Sequence, residues 1–132
     1  MKVGFITWRF VDFDGRGERF AGGIETYLGN LADVCCELDW TPIIFQCANV
    51  EFKVVIDKII VIGVRVKNAS STGLSMRTRK LLFKAACKYI DINKDILIFG
   101  GDQWSIPSSS ERFIAIQHGV AWDYLGRAKW AY

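Results

Sequence analysis

The sequence has few prolines, no low-complexity tract and no long apolar run, and each shortage excludes a class of protein. Two prolines in 132 residues leave no obvious linker, and the 51% hydrophobic content is that of a globular chain rather than a disordered one. No apolar run approaches the roughly 18 residues that span a bilayer, and the apolar start is shorter than a signal-peptide core. We therefore predict one cytoplasmic domain over residues 1–132, which buries roughly two thirds of its unfolded surface.

Patterns typical of metal, redox and nucleic-acid sites are also missing. The cysteines form no CxxC pair, and the single histidine, His118, does not lie at zinc-ligand spacing from them. A balance of 17 basic against 14 acidic residues gives a net charge of +3, which is too small to indicate a nucleic-acid partner. We predict no metal, no resident cofactor, and reduced, mostly buried thiols at Cys35, Cys36, Cys47 and Cys87.

What the sequence does contain is an alternation of apolar strands and amphipathic helices. Residues 2–8 (KVGFITW) are apolar on both faces, which is typical of a central strand in a parallel sheet. From Gly23 to Leu38 the apolar residues recur at helical spacing, and Glu25 is predicted on the opposite, polar side. Residues 41–47 (TPIIFQC) predict a second strand, and hence a right-handed βαβ unit.

The second half of the sequence continues this alternation. Residues 52–66 contain two short β-branched runs, which form either a hairpin or an irregular strand pair. Ser75 is expected to cap a helix that runs to about Ile90, and residues 95–101 and 112–119 predict two further strands. The predicted fold class is α/β, with a Rossmann-like, mostly parallel sheet and helices on both faces.

Polar and aromatic residues follow three of the predicted strands. Arg9 follows the first, Asp102 and Trp104 follow a later one, and His118 follows the last. Because the carboxyl ends of parallel strands meet at one edge, where ligands gather, we expect these residues around one crevice. Trp104 and Trp122 are predicted either to stack on sugar rings or to fill the core or a domain interface.

Two adjacent glycines, Gly22 and Gly23, precede the first predicted helix in the stretch FAGGIETYL. Glycine permits unusual backbone conformations, and the free N–H groups of a first helical turn bind anions, so the pair either cradles a phosphate or only closes a turn. No dinucleotide fingerprint is formed, because Phe20 stands where the third glycine of GxGxxG belongs and no acidic residue closes the second strand. A nicotinamide-dependent oxidoreductase is therefore disfavoured.

His118 lies beside Gly119 at the end of the last predicted strand. A histidine there can hydrogen-bond a sugar hydroxyl, orient a substrate or move a proton near neutral pH. The alternative is a loop histidine that donates to a backbone carbonyl.

These segments together resemble the N-terminal domain of glycosyltransferases with the GT-B fold, especially the retaining family 4 enzymes. MKVGFIT, then GGIETYLGNLADVCCELDWTPIIF, and later DILIFGG and FIAIQHG look like that domain's strands, glycine pair and first helix. The resemblance covers most of the chain. It implies that Gly22 and Gly23 lie near the donor diphosphate and His118, as the catalytic residue, near the transferred sugar, with Glu25 as a weaker substrate-binding candidate. The acceptor-binding candidates are Arg9, Asp102, Trp104 and Trp122.

Enzymes of this family use a second, donor-binding domain with a glutamate-rich motif, which we expect to be missing from this chain. The resemblance therefore implies the acceptor-side half of an enzyme that moves a sugar from a nucleotide sugar to a glycan or lipid-linked acceptor. We expect this half to be inactive alone and to pair with the missing domain or to self-associate. The alternative is a non-catalytic α/β module that binds a nucleotide or a protein.

The helix predicted after Ser75 carries a basic face, made by Arg77, Lys80, Lys84 and Lys88. Such a face either attracts anionic lipid headgroups at the inner side of a membrane or is the solvated outer side of a sheet-packed helix.

Overall fold

The structure is a computed structural model that describes residues 1–100 and 113–115. Its elements follow one another as β1 (Lys2–Ile6), α1 (Gly23–Glu37), β2 (Thr41–Ala48), β3 (Phe52–Ile56), β4 (Ile59–Arg65), α2 (Ala69–Thr72), α3 (Met76–Ala86), β5 (Ile96–Phe99) and β6 (Phe113–Ala115).

The strands form one six-stranded sheet in the order β3-β4-β2-β1-β5-β6. β1 pairs in parallel with both β2 and β5, so it is central, as the sequence predicts. β4 and β6 extend the parallel pairing on the two sides, and β3 pairs antiparallel with β4 at one edge. The fold is therefore α/β with a mostly parallel sheet, which confirms that part of the prediction.

Residues 52–66 form a hairpin rather than an irregular strand pair. Ile56 pairs with Ile59, and the two residues between them, Asp57 and Lys58, have φ values of 47° and 71°. Positive φ at both central residues is what a two-residue type I′ turn requires, and this conformation usually calls for Asn-Gly or Asp-Gly. Because Lys58 stands in place of the usual glycine, the sequence alone leaves the hairpin unsettled.

Helices cover both faces of the sheet. Leu28 of α1 packs in one buried cluster with Phe5 and Ile44, and Leu82 of α3 packs in the other with Phe45. Ile44 and Phe45 belong to opposite clusters because successive side chains of a strand point to opposite faces. In residues 1–100 and 113–115, no helix is both long enough and apolar enough to cross a membrane.

α1 begins at Gly23 and buries Leu28, Ala32 and Cys35 as predicted, but its buried face also includes Glu25. Glu25, predicted on the polar side, is only 5% exposed, whereas Ile24 and Tyr27 are 37% and 46% exposed. The reason is that Glu25 forms an ion pair with Arg9, which lies in the loop before the helix. Helical periodicity cannot show such a tertiary contact.

α3 is capped by Ser75 as predicted, because the hydroxyl of Ser75 accepts the N–H of Thr78 at 3.2 Å. The helix ends at Ala86, four residues before the predicted end at Ile90. Ile90 is still buried, and its N–H donates to the carbonyl of Ala86 at 2.8 Å.

All four cysteines are free thiols, but only two of them are buried. Burial raises the pKa of Cys47 to about 12 and also raises the pKa of Cys35. Both buried thiols therefore stay protonated at neutral pH, and a thiol is far less reactive than a thiolate. The prediction of mostly buried thiols is wrong for Cys36, which is partly exposed, and for Cys87, which is exposed.

Candidate functional site

The switch point of the sheet lies where β1 and β5 are neighbours, and their carboxyl ends are called the β1–β5 edge. From β1 the chain crosses to β2 through α1 on one face, and it returns to β5 through α3 on the other face. In open α/β sheets, ligands bind at the carboxyl ends of the strands where the connections diverge in this way. The N–H of Gly100 donates to the carbonyl of Ile6 at 2.7 Å, and a Cβ at Gly100 would lie only 3.1 Å from the same oxygen. Glycine at position 100 therefore allows the carboxyl ends of β1 and β5 to lie in close contact.

The segment after β1, residues 7–22, lies at this edge and is called the β1 loop. It folds back on itself, with an isolated antiparallel bridge between Val11 and Arg19. The carboxylate of Asp12 accepts backbone N–H groups at 2.8 to 3.2 Å from three later loop residues, Asp14, Arg16 and Glu18. Partial burial raises the pKa of Asp12, but the combined backbone hydrogen bonds outweigh it and hold that pKa below its usual range.

One buried amide, that of Gln46 in β2, ties the β1 loop to the sheet. Its Oε1 accepts the N–H of Phe10 at 2.9 Å and the N–H of Val11 at 2.8 Å. Its Nε2 donates to the carbonyls of Val11 and Cys47, both at 3.0 Å. The side chain of Gln46 is fully buried, and both its oxygen and its nitrogen are hydrogen-bonded. It therefore fixes the position of the β1 loop, because any other loop position would leave buried polar atoms without partners.

Arg9 is the cation that this loop places at the sheet edge. Its guanidinium lies 5.0 Å from the ring centroid of Trp8 and 4.4 Å from that of Phe20. Its Nε donates to Oε1 of Glu25 at 2.8 Å, and Glu25 is buried in the first turn of α1. Two rings and a carboxylate therefore restrict the orientation of Arg9. Trp8 is itself held by its Nε1, which donates to the carbonyl of Ala69 in α2 at 2.7 Å.

The glycine pair has two different explanations in the structure, and neither is an unusual backbone conformation. Gly22 is the N-cap residue of α1 with φ −84° and ψ 169°, a region open to every residue. Gly23 likewise lacks a positive φ. A Cβ at Gly22 would run into the carboxylate of Glu25, whereas a Cβ at Gly23 would meet nothing within 4 Å. A side chain at position 22 would therefore have to displace the carboxylate of Glu25.

The chemistry available at this edge is that of one oriented cation beside the N-terminus of a helix. A guanidinium has five N–H donors, and the structure gives the two Nη atoms of Arg9 no hydrogen bond to any described residue. The N-terminus of α1 carries partial positive charge, but the carboxylate of Glu25 already neutralises part of it. The same carboxylate also pairs with Nε of Arg9, so the donors left for an anion at this edge include the two Nη atoms of Arg9.

The structure brings together four of the predicted site residues at the β1–β5 edge: Arg9, Gly22, Gly23 and Glu25. The other four, Asp102, Trp104, His118 and Trp122, lie outside the described residues. Sequence reasoning missed Gln46 and Asp12, which position the loop. The available signals were a glutamine within an otherwise apolar strand and an aspartate that precedes a glycine-rich turn.

Within residues 1–100 and 113–115, no group of three or more His, Cys, Asp and Glu side chains could hold a metal ion. Comparison of the chain with family models, with curated proteins and with solved structures found no match. The described part of the chain is an α/β protein with an Arg9–Glu25 ion pair at the switch point of its sheet.

Proposed function

We propose that the chain is the acceptor-side, Rossmann-like half of a GT-B glycosyltransferase, and that the β1–β5 edge binds the diphosphate of a nucleotide sugar. When only the five parallel strands are counted, their order across the sheet is 3-2-1-4-5. This is the strand order of doubly wound sheets that bind nucleotides at the point where the order reverses. The strand order supports nucleotide binding at this edge. The proposed reaction, sugar transfer, comes from the sequence resemblance.

The observation that carries the proposal is the orientation of Arg9. A planar guanidinium with unused Nη donors recognises a phosphate through two parallel hydrogen bonds, which a flexible ammonium cannot reproduce. The rings of Trp8 and Phe20 hold the guanidinium plane, so little side-chain freedom is left to lose when a phosphate binds.

In this proposal Gly22 and Gly23 lie near the diphosphate, Glu25 sets the orientation of Arg9, and His118 acts on the transferred sugar. Asp102, Trp104 and Trp122 contribute to the acceptor side. The proposal includes a cytoplasmic location and peripheral membrane contact through the basic face of α3. It also requires a second, donor-binding domain.

One observation favours the alternative of a non-catalytic module. Glu25 places a carboxylate at the N-terminus of α1, where enzymes that cradle a phosphate present bare N–H groups. If the pair of Arg9 and Glu25 serves only to hold the loop, this edge would dock a nucleotide weakly or a protein instead.

The test is a thermal-shift panel of nucleoside diphosphates and nucleotide sugars on the longest chain that the gene encodes. A ligand that binds only the folded protein raises its apparent stability, by about 2.7 kcal/mol at a hundred times the dissociation constant. We expect Arg9→Gln to weaken diphosphate binding about tenfold to a hundredfold, since a hydrogen bond to a charged group contributes about 1.5 to 3 kcal/mol. The matched control is Arg16→Gln, an exposed arginine of the same loop whose side chain has no described partner.

Because Arg9→Gln leaves Glu25 buried without its partner, the double variant Arg9→Gln, Glu25→Gln keeps the test informative if the single variant unfolds. Equal diphosphate affinity in the double variant and in the unaltered protein would refute the proposed site. Nucleotide binding without sugar transfer or hydrolysis of any nucleotide sugar would favour the non-catalytic module. Loss of transfer in His118→Ala with binding intact would favour the enzyme.

A further inference from the structure

A concave surface lies between the carboxyl end of β4 and the start of α3, and none of its lining residues belongs to the β1 loop. It is a cavity of about 320 Å³, called the α3 groove, and its polar lining comprises Arg65, Lys67, Ser75, Arg77 and Thr78, with Leu81 beside them. Three of these side chains are cations, and none is an acid. The sequence analysis placed Arg77 on a basic helix face but did not connect it to Arg65 and Lys67.

The positive charge of this groove is not neutralised by the described part of the chain. Arg65, Lys67 and Arg77 are all exposed, and no ion pair or hydrogen bond joins any of their side chains to a described residue. Three like charges around one cavity repel one another, and the repulsion falls when an anion lies between them.

The helix adds to this charge instead of opposing it. α3 has no acidic residue in its first turn and carries Arg77 there, at the end where the helix dipole is positive. Ser75 satisfies the N–H of Thr78, and the N–H groups of Met76 and Arg77 have no partner among the described residues. By contrast, α1 has Glu25 in its first turn. The charges at the start of α3 therefore favour an anion close to its first turn.

We propose that the α3 groove binds a phosphate group, held by the guanidinium groups of Arg65 and Arg77, the ammonium group of Lys67 and the N-terminal turn of α3. Arginine forks and free backbone N–H groups at a helix N-terminus are the donors that suit tetrahedral phosphate oxygens. The proposal goes beyond the nucleotide-sugar site, because none of the groove residues belongs to the β1 loop. A phosphomonoester in solution and the headgroup of a lipid both present this chemistry.

The binding test uses sodium phosphate titrated at constant ionic strength, with sodium chloride as the balancing salt and the amide resonances of the 132-residue chain as the signal. We expect saturable shifts at residues 65–67 and 75–79. The double variant Arg65→Gln, Arg77→Gln is expected to raise the phosphate dissociation constant about a hundredfold, or about tenfold for each arginine. The matched control is Lys80→Gln, Lys84→Gln, which removes equal charge from the exposed surface of α3 outside the groove and should leave the constant nearly unchanged.

A second arm separates the two sources of phosphate. Glycerol phosphate is titrated in the same way, and co-sedimentation is measured with vesicles of phosphatidylcholine, with and without phosphatidic acid. Groove-dependent binding of glycerol phosphate supports a soluble ester, and groove-dependent sedimentation only with phosphatidic acid supports a headgroup.

Two results would overturn the proposal. One is equal phosphate binding by the groove variant and the unaltered protein. The other combines two observations: phosphate causes no shifts in the groove, and vesicle binding is lost in Lys80→Gln, Lys84→Gln but retained in the groove variant. Vesicles would then bind to the exposed basic face of α3 and not to the groove. Neither result bears on Arg9, so failure here is distinct from failure of the proposed function.

Discussion

At the scale of single residues, two polar side chains decide where the β1 loop lies. Gln46 reaches the loop from β2 and satisfies the backbone of Phe10 and Val11, and Asp12 satisfies three N–H groups within the loop. Arg9 lies directly before these anchored residues, so its position at the sheet edge depends on them.

Replacing Gln46 by leucine tests the first anchor. Gln46→Leu leaves the N–H groups of Phe10 and Val11 buried without their acceptor, and each such group costs about 1 to 3 kcal/mol. We expect the free energy of unfolding to fall by about 2 to 5 kcal/mol in urea titrations. The control is Asn49→Leu, because Asn49 is an exposed amide whose Nδ2 donates to Asp14 at 3.0 Å. A loss no larger than that of the control would contradict the anchoring role.

Asp12 makes the stability of the loop depend on pH. Its pKa in the folded chain is lower than the reference value of 3.8, so its carboxylate contributes fully above that pH. The contribution is lost as the pH falls through the lower, folded-state pKa. Thermal melts between about pH 2 and pH 6 should show a steeper loss of stability for the unaltered protein than for Asp12→Asn.

The control for Asp12 is Asp33→Asn, which removes an exposed carboxylate of α1 that has no described partner. Its pH profile should follow that of the unaltered protein. Parallel profiles for Asp12→Asn and the unaltered protein would show that the hydrogen bonds of Asp12 do not stabilise the fold.

At the scale of elements, Gly22 and Gly23 at the start of α1 should respond differently to substitution by alanine. Gly22→Ala places a methyl group on the buried carboxylate of Glu25 and should destabilise the fold by about 1 to 3 kcal/mol through the broken pair with Arg9. Gly23→Ala meets open space at the first helical position and should be neutral or stabilising by up to about 1 kcal/mol. Calorimetric melting of the two variants checks the contrast, and equal effects would contradict it.

The two ends of α3 should respond in opposite directions to the loss of one charge. Arg77 opposes the helix dipole in the first turn and Lys84 complements it in the last turn. In a buffer free of phosphate and sulfate, Arg77→Gln should raise the free energy of unfolding and Lys84→Gln should lower it, each by about 0.3 to 1 kcal/mol. A destabilised Arg77→Gln would mean that a partner already neutralises this arginine.

The elements themselves follow from local patterns, whereas their contacts do not. Apolar runs and helical spacing predict β1, β2, α1 and the Ser75 cap, because each depends on residues near in sequence. The burial of Glu25 is not predicted because Glu25 is paired with a residue sixteen positions earlier. The hairpin is undecided because its turn lacks the glycine that marks such turns.

At the scale of the whole molecule, the sheet topology turns separate loops into one edge. Arg9, Gly22, Gly23 and Glu25 lie near one another because they belong to one strand-loop-helix unit. The sequence could not predict the pairing of Arg9 with Glu25, nor the cation cluster of the α3 groove, since both depend on how side chains pack in three dimensions. The total charge of +3 gives no sign that three cations line one cavity, the α3 groove.

The most direct test of the proposed function is a titration of the longest chain that the gene encodes, isotopically labelled, with uridine diphosphate and guanosine diphosphate, followed through its backbone amide resonances. The proposal predicts saturable shifts in the β1 loop, in the first turn of α1 and at Gly100, which weaken in Arg9→Gln but not in Arg16→Gln. An absence of shifts with both diphosphates, or shifts confined to the α3 groove, would contradict a diphosphate site at the β1–β5 edge.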